Sequence, residues 1–395
     1  MSPLRVRAYR HLFAAQVLSL IGTGLATVAL GLLAYELAGE AAGQVLGTAL
    51  FIKMVAYVTL SPVAGAVAGR LPRRGFLIAL DLLRAAIVLV LPFMTEIWQV
   101  YVLIALLQAA SAFFTPIFQA TIPEILPDEA TYTRALSLAR LAYDTESLLS
   151  PGLAALALTV MPFHMLFLGT SAGFVASALL VLTVTFTVAA PEAPTPFIDR
   201  LTRGLRRHAR MPVLRGLIAL NLAAAAGSAY VIVNTVPIIR GTLGRTEADV
   251  ALMLAAYGAG SMAVALIAPR LIERIGERAL MLGGGFGFSL LLAFGGYAMT
   301  FVGADWGVLL PLWAAFGAAY SAILTPGGRL LRRAGTAAEF PAIYAAYFAL
   351  SHACWLLTYP LAGYAGVAFG LGPALLIIAA LALLAALAAS RLWPA

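Results

Sequence analysis

The chain is short of nearly everything that keeps a protein in water. Charged residues fill only 11% of its 395 positions, against about 25% in a soluble domain. Lys53 is the only lysine; the other basic residues are arginines. The single cysteine, Cys354, excludes an internal disulfide, and no Cys/His cluster has zinc-binding spacing. Also missing are a Walker-type glycine loop, a zinc-hydrolase histidine pair and a serine triad. The chain is therefore expected to be no enzyme, to need no cofactor, and to draw no energy from ATP bound to itself.

What is present is apolar. Hydrophobic residues make up 62% of the sequence, with a mean hydropathy of +0.97, so the solvent this chain needs is lipid. A helix rises about 1.5 Å per residue and needs roughly 20 residues to cross an apolar layer of about 30 Å. Candidate spans fall near 11–37, 43–68, 75–94, 98–121, 132–160, 163–188, 213–239, 247–268, 279–301, 307–328, 340–365 and 368–390. The first, behind Arg5, Arg7 and Arg10, is too long for a signal peptide and reads as a retained helix. The expected fold is an all-α membrane protein of twelve transmembrane helices in two pseudo-symmetric six-helix bundles.

Arginine placement orients the spans. With both termini cytoplasmic, the inside segments hold 20 of the 25 basic residues, while the outside loops hold only Arg240 and Arg245 beside several carboxylates. Basic residues concentrate on the cytoplasmic side of membrane proteins, so the net charge of +8 is a topology signal and no nucleic-acid partner is expected. The reading is a multi-pass protein of the inner or plasma membrane, a monomer whose partners are the bilayer, a small solute and protons.

One connection differs from the rest. Pro191-Glu-Ala-Pro-Thr-Pro196 ends an apolar run, and Phe197, Ile198, Leu201 and Leu205 then alternate at helical spacing with Arg200, Arg203, Arg206, Arg207 and Arg210. Such a pattern suits an amphipathic helix on the inner leaflet, its arginines near anionic headgroups; a solvated basic linker is the alternative. It separates an N-terminal bundle (1–190) from a C-terminal one (213–395), with 191–212 as the linker.

The halves echo each other. Gly65-Ala-Val-Ala-Gly-Arg-Leu-Pro-Arg-Arg74 follows span 2, and Pro269-Arg-Leu-Ile-Glu-Arg-Ile-Gly-Glu-Arg278 follows span 8; Thr115-Pro116 precedes Pro151 much as Thr325-Pro326 precedes Pro360. With six spans each, the halves form a parallel repeat. These features resemble the major facilitator superfamily. The resemblance implies that the basic turns gate the contact between halves, with Gly65, Arg70 and Arg74 matching the first copy and Glu273, Arg274, Gly276 and Arg278 the second. The first copy departs at Gly69, where the family usually has aspartate. Leu71-Pro-Arg-Arg74, Asp81-Leu-Leu-Arg84 and Ile122-Pro-Glu-Ile-Leu-Pro-Asp-Glu129 further resemble the drug and siderophore exporter branch and its nickel-resistance relatives, although the latter's histidine-rich tail is not seen in Ser390-Arg-Leu-Trp-Pro-Ala395.

Polar residues at mid-span mark where function is expected, because a charge there costs about 2.5–3.5 kcal/mol on insertion scales. Lys53 lies about ten residues into span 2, and Arg140, Asp144 and Glu146 lie within span 5. They suggest a buried charge cluster, either a permanent ion-paired clasp or a proton carrier exchanging protons for a cationic or amphipathic solute. By the repeat, Asp144 corresponds to Ala353, flanked by His352 and Cys354. His352 is a packing residue, a group titrating near neutral pH or, with Asp144 and Glu146, a ligand in a nickel or cobalt exporter. Gln16, Gln108, Gln119, Asn221, Asn234 and Tyr320 complete the expected substrate path. Asp81 and Arg84 read as a structural pair. A membrane sensor or assembly factor with the same fold remains the alternative to transport.

Overall fold

A computed structural model describes residues 2–67, 72–126, 128–184, 197–336 and 339–393. Among them the chain is helical throughout: α1 (Arg7–Ala38), α2 (Ala42–Val67), α3 (Arg73–Val90), α4 (Ile97–Ile125), α5 (Glu129–Leu158), α6 (His164–Leu182), α7 (Phe197–Arg210), α8 (Pro212–Val236), α9 (Glu247–Tyr297), α10 (Trp306–Leu324), α11 (Gly327–Arg333), α12 (Phe340–Phe369) and α13 (Leu371–Leu392). This follows from the solvent, since backbone groups in lipid need partners within their own helix. Several helix starts supply them from side chains. Glu96 and Gln99 form a capping box at α4, Thr246 and Asp249 one at α9, and the Asp128 carboxylate accepts from the Thr131 N–H at 2.9 Å.

The span count differs from the expectation. Eight helical stretches among the described residues are long and apolar enough to cross a membrane: Arg7–Leu60, Arg73–Phe93, Ile97–Gln119, His164–Leu182, Pro212–Thr242, Glu247–Val302, Trp306–Arg333 and Leu371–Leu392. The expected twelve spans in two six-helix bundles are thereby corrected to an all-α, multi-pass membrane fold with eight long apolar helices. Part of the reason is that the helix continues where the sequence suggested a boundary. Arg7–Leu60 is 54 residues long and Glu247–Val302 is 56, with α1 and α2 joined by the 3-10 turn Gly39–Ala41. Only Gly276 (φ 79°, ψ 162°) leaves the helical conformation inside α9, at a positive φ that glycine tolerates. Part is that α5 and α12 are not among the eight.

The chain forms two compact units. Unit 1 comprises Met1–Leu33 and Val55–Pro194, and unit 2 comprises Ala34–Met54 and Thr195–Ala395. In unit 1, α3 packs on α6 and α4. In unit 2, α9 packs on α10 and α13, while α8 packs on α12 and α13. The α9–α10 approach is a backbone contact: a Cβ built on Gly260 would lie 1.8 Å from the Ala314 carbonyl oxygen, and one on Gly317 1.8 Å from that of Tyr257. Only glycine permits that distance, as is common where membrane helices associate through small residues.

The linker segment is helical as expected. In α7, Gly204 and His208 turn inward and the helix packs on α12, while Arg203, Arg206 and Arg210 are exposed. Arg207 Nε donates to the Ala334 carbonyl at 3.1 Å, which ties α7 to the turn before α12.

Candidate functional site

The first half of α2 belongs to unit 2 because it meets α12 backbone to backbone. A Cβ on Gly47 would lie 2.7 Å from the Tyr359 carbonyl oxygen, and one on Gly363 2.4 Å from that of Gly43. Numbering rises on one helix as it falls on the other, so the two run antiparallel. Asn234 of α8 closes this seam. Its Nδ2 donates to the Ala362 carbonyl at 3.0 Å, while its buried Oδ1 accepts no hydrogen bond among the described residues.

Along α12 from this seam, Tyr359, Trp355, His352 and Phe348 recur at spacings of four, three and four residues, which places them on one helix face. The Trp355 and Tyr359 rings are 5.0 Å apart, and the His352 ring lies 3.9 Å from that of Phe348. His352 Nδ1 donates to the Phe348 carbonyl at 2.8 Å. That fixes Nδ1 as the protonated nitrogen of the neutral ring and leaves Nε2 an acceptor. The charge of Lys53, on α2, lies within electrostatic reach of His352. Tyr320 of α10 stacks obliquely on Tyr257 of α9 with centroids 5.9 Å apart, and Tyr257 shares a 2.5 Å hydrogen bond with Ser228 of α8. Asn221 Nδ2 donates to the Tyr347 hydroxyl at 2.8 Å. Within unit 2, Trp355, His352, Tyr320, Tyr257 and Tyr347 are half-buried, while Tyr359, Asn221, Ser228 and Asn234 are buried.

The residues singled out in the sequence separate into groups. Asn221, Asn234, Tyr320, His352 and Lys53 all lie in unit 2. Gln16 and Gln108 are half-buried in unit 1 and Gln119 is exposed there. Arg140, Asp144 and Glu146 belong to α5, but their side chains, like all of Arg70, lie outside the described residues. Gly65 sits within α2, and Arg74 Nη2 donates to the Leu182 carbonyl. In the second turn, Gly276 makes the break in α9 and Arg278 Nε donates to the Trp393 carbonyl at 2.8 Å. Glu273 and Arg274 are exposed. The carboxylate that organises this turn is one the sequence reading passed over: Glu277 accepts from Arg333 at 2.9 Å and pairs with Arg329 at 3.3 Å. Its signal was available, since Arg329, Arg332 and Arg333 form the next basic group. Tyr257, Tyr347, Trp355 and Tyr359 were not among the expected path residues; the partners of Tyr257 and Tyr347 lie 29 and 126 residues away, beyond what spacing reveals, whereas Trp355 and Tyr359 stand four apart on one helix.

Unit 1 holds the pair read as structural. Asp81 and Arg84 are 0% and 4% exposed and bonded to each other. Ser177 donates to the second Asp81 oxygen at 2.8 Å. The guanidinium lies over the rings of Phe114 and Phe174, 4.0 and 4.5 Å from their centroids.

Comparison with known proteins places this architecture. The uncharacterized MFS-type transporter YfiS of Bacillus subtilis (strain 168) is 26% identical over 209 residues, covering 51% of this chain and 49% of that protein. The chain thus spans about half the length of this relative. The uncharacterized MFS-type transporter YvqJ of the same organism is 26% identical over 393 residues, 93% of this chain and 87% of that one. The crystal structure of the nucleoside transporter NupG superposes with a TM-score of 0.75 at 14% identity, covering 98% of this chain and 99% of its own. These similar proteins are transporters, not catalytic enzymes. The family model described as Major Facilitator Superfamily matches residues 12–232 and again 217–395. By that match over nearly its whole length the chain belongs to the Major Facilitator Superfamily, whose members move small solutes by secondary-active transport with alternating access.

Proposed function

We propose that this protein is a proton-coupled exporter of a small amphipathic solute, set in the inner or plasma membrane with both termini in the cytoplasm. The observation that carries the reading is the stripe of Tyr359, Trp355 and His352 beside Tyr320 and Tyr257, with Ser228, Asn221 and Tyr347 supplying neutral hydrogen-bonding groups. Aromatic walls with a few placed polar groups suit a ligand that is part apolar and part polar. The outward direction rests on the resemblance of Leu71–Arg74 and Asp81–Arg84 to the exporter branch. Cytoplasmic termini rest on the arginine distribution.

Proton carriage falls to Asp144 and Glu146 of α5. A carboxylate in an apolar helix gains a proton when desolvated and loses it when water or a cation approaches.

The test uses protein reconstituted in vesicles loaded with a pH-sensitive dye and challenged with a solute panel that includes nickel and cobalt. A solute-dependent proton flux in the intact protein, lost in Asp144→Asn or Glu146→Gln, is expected. Full coupling in both variants would end the proton assignment, and a flux driven only by metals would replace the amphipathic solute.

A further inference from the structure

One helix, α2, is shared by both compact units. Ala34–Met54 goes with unit 2 and Val55 onward with unit 1. Between Thr48 and Leu60 the helix nevertheless holds neither glycine nor proline. In alternating access one bundle rocks against the other, and a helix without such residues has no ready hinge. The movement therefore falls on the contacts that hold Ala34–Met54 to unit 2.

Those contacts part without tearing a packed core. Where Gly43 and Gly47 meet the backbone of α12 at Gly363 and Tyr359, there is no side chain to unlock. The Tyr364 hydroxyl bonds across the seam to Gln44 and Thr48, and Tyr364 is exposed, so losing these bonds strands no buried group.

Asn234 of α8 acts against closure. It is 1% exposed, and its Nδ2 bond to the Ala362 carbonyl joins α8 to α12 without involving α2. Its Oδ1 faces two glycines: a Cβ on Gly43 of α2 would lie 2.7 Å from it, and one on Gly366 of α12 2.8 Å. Glycine presents C–H groups there, which are weak donors, and Oδ1 accepts no hydrogen bond among the described residues. The amide is held this way round, because a reversed one would set its oxygen against the Ala362 carbonyl oxygen. With α2 in place Oδ1 is dry, and with α2 withdrawn Gly43 no longer covers it. A buried, unpaired acceptor disfavours the state that buries it.

We propose that Asn234 is a conformational device that keeps the seam between α2 and α12 openable. Oδ1 penalises the shut seam, the bond to Ala362 is the same in both states, and Ala34–Met54 leaves α12 as a piece during the transport cycle. The proposal goes beyond the proton and solute assignments and does not depend on them.

The test uses the full-length protein in nanodiscs without solute. Glu40 and Phe369 are exposed and stand at the same end of the antiparallel seam. Glu40→Cys and Phe369→Cys, placed in Cys354→Ser and labelled with nitroxides, report the separation by double electron–electron resonance. A short distance for the shut seam and a longer one for the open seam are expected. Gly363→Ala, whose methyl carbon would lie 2.4 Å from the Gly43 carbonyl oxygen, should populate the longer one. In Asn234→Thr the hydroxyl would return to the carbonyl four residues back, as those of Thr23, Thr27 and Thr48 do. Relieved of the unpaired acceptor, this variant should raise the ratio of shut to open at least about fivefold. In Gly47→Ala, a milder wedge, the same substitution should return part of the long-distance population to the short one, which covers a parent that is almost wholly shut.

Ratios that Asn234→Thr leaves unchanged in both backgrounds, or moves toward the long distance, would overturn the inference. A single distance that neither Gly363→Ala nor Gly47→Ala alters would overturn it too, because the seam would then not be what parts. The outcomes are separable from those for transport. A missing proton flux leaves the distances as they are, and distances that ignore Asn234 leave the flux assignment standing.

Discussion

In unit 1 the guanidinium of Arg84 lies between two phenyl rings, and its partner Asp81 takes a further hydrogen bond from Ser177. In unit 2 the charge of Lys53 lies within electrostatic reach of His352, on the α12 face that also carries half-buried Trp355 and buried Tyr359. Both are cations within apolar helices, and a charge in either place carries an insertion penalty of a few kcal/mol. The arrangements differ in how fully local groups offset that penalty. The Asp81 and Arg84 side chains are buried among groups of their own unit, with Ser177, Phe114 and Phe174 around them. A mid-helix charge is thus read by its surroundings: closed packing marks structure, and an aromatic wall left half-buried marks recognition.

The comparison breaks most easily at Asp81. Asp81→Asn leaves the Arg84 guanidinium buried without its counter-charge, and breaking one side of a buried pair costs about 3–5 kcal/mol. The expected result is a large loss of folded protein in detergent, read by fluorescence size-exclusion chromatography and by thermal unfolding. A variant that unfolds like the parent would mean that the pair is no structural bolt and that the two units do not differ in this way.

Next in size is the α9–α10 contact that sets the tyrosine pair of unit 2. In Gly317→Ala the new methyl would meet the Tyr257 backbone, whose carbonyl oxygen is 1.8 Å from where that methyl carbon would sit. Backbone cannot swing aside as a side chain can, so overpacking of about 1–3 kcal/mol is expected. Tyr257 would shift against Tyr320 and Ser228. Solute-dependent flux should fall more than thermal stability does. Equal losses in both would show that the tyrosines serve packing alone.

How much of this was legible in the sequence depends on how local the signal is. Asp81 and Arg84 are three apart on a helix, so their pairing follows from spacing. The helicity of α7 follows from the alternation of Leu205 and its apolar neighbours with arginine. The span count did not follow, because run length cannot show that a helix passes through Gly39–Ala41 without stopping. Lys53 lies on the first part of α2, which belongs to the compact unit of α12. That assignment is made by Gly43, Gly47 and Gly363 meeting across more than three hundred residues, which no spacing rule reads. The partner of Asn221, Tyr347, lies 126 residues away. Glu277 was missed in favour of Glu273 because only the Gly276 break decides which of the two faces Arg329 and Arg333.

A smaller expected effect on stability sharpens the contrast from the other side. Lys53→Gln should cost about 1 kcal/mol, the centre of the range for single substitutions. It should nevertheless abolish solute-dependent flux. Measured beside Asp81→Asn by the same thermal assay, it separates a charge kept for function from one kept for folding. If Lys53→Gln destabilises the protein as much as Asp81→Asn, the lysine is a structural residue too.

The smallest effect concerns a third ionisable group, at the edge of unit 2. His208 of α7 is 3% exposed; its Nδ1 donates to the Gly204 carbonyl at 2.9 Å, and its Nε2 has no hydrogen-bond partner among the described residues. Burial pushes the imidazole below its ordinary value of 6.5, and the Gly204 carbonyl opposes that only in part. With the docked value below the undocked one, the undocked helix binds more protons in the window between them. The docking of α7 on α12 is therefore complete above about pH 6.5 and weakens as pH falls through that window. Hydrogen exchange of the α7 amides, corrected for intrinsic rate, should quicken as pH falls below about 6.5 in the parent. In His208→Leu, which removes the titrating group, it should keep one protection across that range. Protection that falls equally in both proteins would assign the change to Arg207 and Glu339, whose exposed side chains approach to 3.9 Å at the same junction, and would leave His208 as packing alone.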